Sequence, residues 1–84
     1  MSTFEQVQKI IGESLALGDR AERLTPESRL FGDIPEFDSM AVLTVVTSLE
    51  DHFDIVFDDE DISEENFADV ACLVALVESK RQAA

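Results

Sequence analysis

Tryptophan and tyrosine are absent from these 84 residues, and histidine and cysteine occur once each. That scarcity removes most side chains able to act as general acid, general base or nucleophile. Zinc is excluded on the same ground, because a site needs three or four ligands at workable spacing and no Cys/His cluster exists. With only three scattered glycines (Gly12, Gly18, Gly32) there is no Gly-rich phosphate loop. The single cysteine, Cys72, cannot close an intramolecular disulfide, and its apolar neighbours make it read as a small buried hydrophobe. It sits in the apolar stretch 71–77, which even with Val70 is far short of the roughly 18 residues a membrane span requires. Residues 1–11 place Glu5, Gln6, Gln8 and Lys9 among the apolar positions, so a secretory signal is not indicated and cytoplasmic residence is expected.

Basic residues are also scarce: 6 Lys and Arg stand against 19 Asp and Glu, for a formal net charge of −13. All six bases (Lys9, Arg20, Arg23, Arg29, Lys80, Arg81) lie outside positions 30–79, a stretch that holds fourteen acids. Such a surface repels a phosphate backbone, so neither nucleic acid nor an anionic membrane is an expected partner. A hydrophobic content of 45% still supplies a core, which separates this chain from acidic disordered ones. The length fits one small domain over 1–84, expected as a monomer. Self-repulsion should weaken the compact state, and screening shortens its range to about 10 Å at 0.1 M salt. Added salt is therefore expected to raise the melting temperature; a Tm unchanged from low salt upward would contradict this account.

The periodicity is helical, with no convincing strand. Phe4, Val7, Ile11 and Leu15, widened by Ile10, recur at spacings of three and four and predict a first amphipathic helix stopped by Gly18-Asp19. A connection of about twenty residues follows, long enough to expect structure within it. There Thr25-Pro26-Glu27 has a capping residue, a proline for the first helical position and an acid, predicting a short helical turn through Leu30 and Phe31 that Gly32-Asp33-Ile34-Pro35 breaks. The second long helix begins near Ser39, with Val42, Val46, Leu49 and Phe53 on its buried face and Met40, Leu43 and Val45 broadening it. Its β-branched content argues for a strand, but about fourteen residues without Gly or Pro favour a helix. Ser63 is a candidate cap for a turn over Glu64, Glu65 and Asn66. The last helix puts Phe67, Val70, Ala71, Val74 and Val77 on one face and ends near Lys80 and Arg81, at its negative pole. The expected fold is all-α: a small four-helix bundle of three main helices and one short one, its long first loop letting the first two main helices run roughly parallel.

Few residues in this frame suggest chemistry. His52, beside Asp51, reads as a solvated surface histidine. The acidic run 58–65 lacks the EF-hand pattern, since no glycine stands at the sixth position and Val70 falls where the bidentate glutamate is needed; loose divalent binding is all it suggests. Phe37-Asp38-Ser39-Met40, where the long loop meets the second helix, is more telling. Asp38 or Ser39 can cap the helix there, and a serine hydroxyl at a helix N-terminus can also carry a phosphodiester.

The whole chain resembles the acyl carrier proteins, members of the phosphopantetheine-binding carrier family. The likeness is carried by Thr25-Pro26-Glu27-Ser28 before Leu30-Phe31, by Phe37-Asp38-Ser39-Met40, and by Leu49-Glu50-Asp51-His52-Phe53-Asp54-Ile55. It implies a non-catalytic carrier whose Ser39, flanked by Asp38, is esterified by 4′-phosphopantetheine from coenzyme A through a separate phosphopantetheinyl transferase. The arm's thiol would hold acyl groups as thioesters and shuttle them among acyl-activating and acyl-transferring enzymes with basic docking patches. Met40, Glu50, Asp51, Asp58, Asp59 and Glu64 are the docking candidates, and Val46, Ile62 and Ala71 the guesses for an acyl pocket. The chain departs from the usual pattern at Ala41 and Thr44, where fatty-acid carriers have acids, and at Glu36, where they have glycine; its charge shifts to Glu50, Asp51, Asp54 and 58–65. A specialised pathway is therefore expected over housekeeping fatty-acid synthesis. Met40 after the serine is similar to D-alanyl carriers, so an aminoacyl or peptidyl carrier is one alternative. An unmodified acidic interaction module and an acidic mimic of a phosphate backbone are others.

Overall fold

The computed structural model describes residues 2–35 and 37–83; Glu36, singled out above, and Met1 lie outside the described residues. Four α-helices follow one another: α1 (Thr3–Ser14), α2 (Leu30–Asp33), α3 (Ser39–Phe53) and α4 (Val70–Ala83), with 3-10 turns at Gly18–Arg23 and Asp59–Asp61. Among the described residues the one extended pairing is an isolated bridge between Arg29 and Asp69. The chain is thus an all-α bundle in which α1 packs against both α3 and α4.

Each long helix starts on a side-chain cap. Ser2 accepts the Glu5 N–H while the Glu5 carboxylate accepts the Ser2 N–H, a reciprocal capping box for α1. Asp38 caps α3, and Asp69 caps α4 by accepting the Cys72 N–H at 2.8 Å. Burial beneath these helices follows the expected periods in α1, where Val7, Ile10 and Ile11 are buried, and in α3, where Val42, Val45, Val46 and Leu49 are. Met40 and Leu43 depart from the expectation: they stand exposed, and Ala41 takes the buried position because the inward stripe runs one residue to the side. In α4 the buried line is Val70, Leu73 and Val77, so Ala71 is exposed instead of inward. A spacing of three then four centres the stripe on Leu73.

The stops also differ from expectation. α1 ends before Gly18: Ala16 takes the left-handed conformation (φ 53°), and the Leu17 N–H reaches back to the Gly12 carbonyl at 2.9 Å. Asp54 does the same after α3 (φ 55°), with Ile55 N–H bonded to Glu50 O at 3.1 Å. In both cases the next residue, Leu17 or Ile55, is buried, and its apolar contact anchors the reversal. An L-residue pays roughly 1–2 kcal/mol in this region and glycine does not. Ala16→Gly is therefore expected to stabilise the fold by about 1 kcal/mol, read as a rise of about 4–8 °C in Tm; an unchanged or lowered Tm would show that Ala16 is not strained.

The long connection is structured, as its length suggested. Gln8 Nε2 donates to the carbonyls of Ala21 and Leu24 at 2.8 and 3.1 Å, tying the first 3-10 turn to α1. Gly12 faces it, and a side-chain carbon there would overlap the Ala21 methyl. Thr25-Pro26-Glu27 forms a tight turn closed by Ser28, not a helix start; the helical turn begins at Leu30 and includes Gly32 and Asp33. The reason is tertiary. The carbonyls of Pro26 and Ser28 accept the N–H groups of Ala71 and Val70 at 2.9 and 3.0 Å, which holds this stretch against the start of α4.

Candidate functional site

Of the two residues that could cap this helix, Asp38 does so and Ser39 does not. The Asp38 carboxylate accepts the Ala41 N–H at 2.9 Å and its carbonyl accepts the Val42 N–H at 3.0 Å. Ser39 is then the first helical residue, exposed, and its hydroxyl makes no hydrogen bond among the described residues. The N–H groups of Ser39 and Met40 likewise have no acceptor among the described residues. An uncommitted hydroxyl at the positive end of a fifteen-residue helix, beside two open N–H donors, suits an anion linked through its oxygen. A phosphodiester fits here without displacing any existing bond.

Beside Ser39 opens a cleft of about 360 Å³, lined also by Phe31, Val42, Leu43, Ile62, Ser63, Glu64 and Phe67. Its floor is aromatic. Phe67 is fully buried with its ring 6.4 Å from that of Phe37, and Phe31 meets Phe37 edge-on at 4.9 Å. Among the described residues four large apolar side chains are exposed, and three of them, Phe31, Met40 and Leu43, flank the serine or its cleft. A more voluminous groove, about 530 Å³ between α1 and the first 3-10 turn, is walled by Glu5, Lys9, Glu13 and Glu22 and offers no hydroxyl or thiol.

Of the three pocket guesses, Ile62 lines this cleft. Val46 is buried in the interior and Ala71 lies exposed on α4; neither belongs to the lining. Phe31, Leu43 and Phe67 do, although helical spacing alone places them only as helix residues. A signal was present for Leu43, which stands one turn beyond Ser39 on the same helix.

The proposed docking acids fall into two groups. Asp51, Asp59 and Glu64 are exposed, with Glu64 at the cleft and Met40 71% exposed beside the serine. Glu50 and Asp58 have partners within the fold: half-buried Glu50 accepts the Phe57 N–H through Oε2 at 2.8 Å, and Asp58, itself exposed, stands 3.6 Å from the Lys80 ammonium. Lys80 lies 2.6 Å from Asp61, whose carboxyl is held below the usual carboxylate range chiefly by that bond; the same bond raises the Lys80 ammonium. Ala41 is buried, so an acid there would enter the core. Thr44 and Thr47 donate to the Met40 and Leu43 carbonyls at 3.1 and 2.9 Å, which leaves the start of α3 without charge on its outer face. Cys72 is half-buried and not fully enclosed; its thiol is pushed up by hydrogen bonding to the Asp69 carboxylate, which the Cys72 N–H in turn holds low. His52 is exposed, 3.0 Å from Gln6 Oε1. Among the described residues no group of three or more His, Cys, Asp or Glu is arranged to hold a metal ion, and no helix is long and apolar enough to cross a membrane.

Residues 5–77 match the family model described as phosphopantetheine attachment site. An acyl carrier protein of Streptococcus pyogenes serotype M1 is 41% identical over 80 residues, covering 95% of this chain and 97% of the relative. One from Helicobacter hepaticus is 35% identical over 81 residues, covering 96% of this chain and all of the relative. The solution NMR structure of a holo acyl carrier protein from Nitrosomonas europaea superposes with a TM-score of 0.90 at 45% identity, covering 98% of this chain and 99% of that one. A helix-capped, unengaged serine beside an apolar cleft, in a fold and sequence shared along nearly the whole chain, makes this protein a member of the acyl carrier protein family.

Proposed function

We propose that Ser39 carries the 4′-phosphopantetheine arm and that the protein shuttles acyl groups, as thioesters of the arm's thiol, among enzymes of a specialised pathway. The carrying observation is the Ser39 hydroxyl, exposed and without a hydrogen-bond partner among the described residues while Asp38 alone supplies the cap. In the attachment step the Ser39 oxygen bonds to the phosphorus that bears pantetheine in coenzyme A. The pyrophosphate P–O bond breaks, adenosine 3′,5′-bisphosphate leaves, and the hydroxyl proton passes to a base on the transferase. Once bound, the arm supplies the thiol that this chain's own residues do not need to provide.

The rest of the molecule receives and presents that arm. Phe31, Leu43, Ile62 and Phe67 offer an apolar surface at the serine for the thioester end or its cargo. Asp51, Asp59 and Glu64 face solvent and raise the encounter rate with basic partners more than the final affinity. Because the outer face at the start of α3 is uncharged, those partners would place their cations toward the end of α3 and the 58–65 run, which favours a specialised set of enzymes. The reading takes residues 1–84 as one cytoplasmic, monomeric carrier domain. Its test is intact mass after incubation with coenzyme A, Mg²⁺ and a broad-specificity phosphopantetheinyl transferase. A gain of one phosphopantetheinyl group is expected, and an unchanged mass would sink the reading.

A further inference from the structure

One wall of the Ser39 cleft comes from the segment 62–67, before α4, and Asp61 pins its start through both its carboxylate and its backbone carbonyl. Asp61 Oδ2 accepts the Asp58 N–H at 2.8 Å and lies 2.6 Å from the Lys80 ammonium. The Asp61 carbonyl accepts Asn66 Nδ2 at 2.9 Å. Asn66 and Phe67 close onto Ser63, their N–H groups donating to its hydroxyl at 3.3 Å and to its carbonyl at 3.1 Å. The residues so fixed, Ile62, Ser63, Glu64 and Phe67, are half of the cleft's lining.

Lys80 reaches this network from the last helix. Among the described residues it is the one base that pairs with the run 58–65, touching both Asp58 and Asp61. The pair is shielded: the Lys80 and Asp61 side chains are 22% and 19% exposed, unlike the open Arg29–Asp33 pair at 73% and 48%. Partly shielded pairs held in a hydrogen-bonded network matter more than isolated surface pairs. Without the ammonium, the adjoining acids Asp58, Asp59, Glu60, Asp61, Glu64 and Glu65 repel one another with no base to hold them.

We propose that Lys80 and Asp61 form a latch that fixes this wall of the Ser39 cleft and so decides which cargo lengths the cleft shelters, Lys80 acting as a positioning residue from outside the cleft. The half that concerns cargo rests on the carrier reading of Ser39; the latch itself does not. Lys80→Met keeps the aliphatic stem and removes the charge. In the unmodified protein, hydrogen exchange over 61–67 should then accelerate about tenfold while the amides of α1 and the middle of α3 keep their protection. Lys80→Arg should restore the slow exchange, and Asp61→Asn should reproduce the fast one. Exchange that accelerates equally everywhere, or not at all, overturns the latch.

For cargo, the wild type and Lys80→Met are loaded from butyryl-, octanoyl- and dodecanoyl-coenzyme A by the transferase, and thioester cleavage by hydroxylamine is timed. The wild type should protect the three to different degrees, spread severalfold, and the variant should flatten that spread toward equality. An unchanged spread in the variant overturns the proposal. Failure of the wild type to load is a failure of the carrier reading instead, and leaves the exchange result to decide the latch.

Discussion

Ser39→Ala protein, treated with coenzyme A, Mg²⁺ and the transferase under conditions that convert the wild type completely, gains no mass. The expected effect is all-or-none, because in the proposed reaction the hydroxyl oxygen forms the bond and the variant has none to offer. Folding gives no alternative explanation for the loss. Ser39 is exposed, its hydroxyl holds nothing in place, and Asp38 still caps the helix, so stability should stay within about 0.5 kcal/mol of the wild type. Matched thermal melts check that point in the same samples. A mass gain that survives in Ser39→Ala would move the attachment elsewhere, and Ser63 is the first place to look: it lines the same cleft, though its hydroxyl already accepts the Asn66 N–H.

The second large effect is expected at the floor of the cleft. Phe67 is the largest side chain fully buried in the protein, and its ring meets Phe37 below the site. Truncation to alanine removes its transfer free energy and leaves a cavity, for a cost of about 3–5 kcal/mol. Domains hold only about 0.05–0.15 kcal/mol per residue, so the loss is a large share of the total here. Urea denaturation of Phe67→Ala should show a midpoint far below the wild type, if a folded baseline survives at all. Met40→Ala is the control, since Met40 is 71% exposed and its truncation should stay within about 0.5 kcal/mol. Equal costs for the two would mean that the cleft floor is not packed.

The contrast between those residues also shows where sequence reading succeeds. Val7, Ile11, Val42, Val46 and Leu49 were legible as core because helical spacing alone puts them on one side of their own helix. Met40 and Leu43 share that spacing at the edge of the stripe, and only the packing partners determine that the edge faces solvent while Ala41 goes in. The same holds for Ala71 and Leu73, one of which had to face outward once α4 docked on α1. Asp38 and Ser39 were visible as a cap and a candidate attachment point through local chemistry.

The cleft was not visible in this way, because its lining is gathered from α2, α3 and the segment before α4, far apart in sequence. Phe31 and Phe67 become neighbours of Ser39 only when the carbonyls of Pro26 and Ser28 take the first N–H groups of α4. The left-handed stops at Ala16 and Asp54 were hidden for a related reason. Glycine is the usual signal there, and buried Leu17 and Ile55 hold the turn without it.

Cys72 has a consequence for chemical orthogonality. If cargo hangs from a cofactor thiol, a second reactive thiol on the same protein is a rival acceptor, able to capture the acyl group by thioester exchange and strand it where no arm can deliver it. The Asp69 carboxylate that caps α4 also stands beside the Cys72 thiol and pushes it up, which disfavours the thiolate, the form that attacks. One helix cap therefore does two jobs, beginning α4 and making the chain's own sulfur a poorer rival to a cofactor thiol.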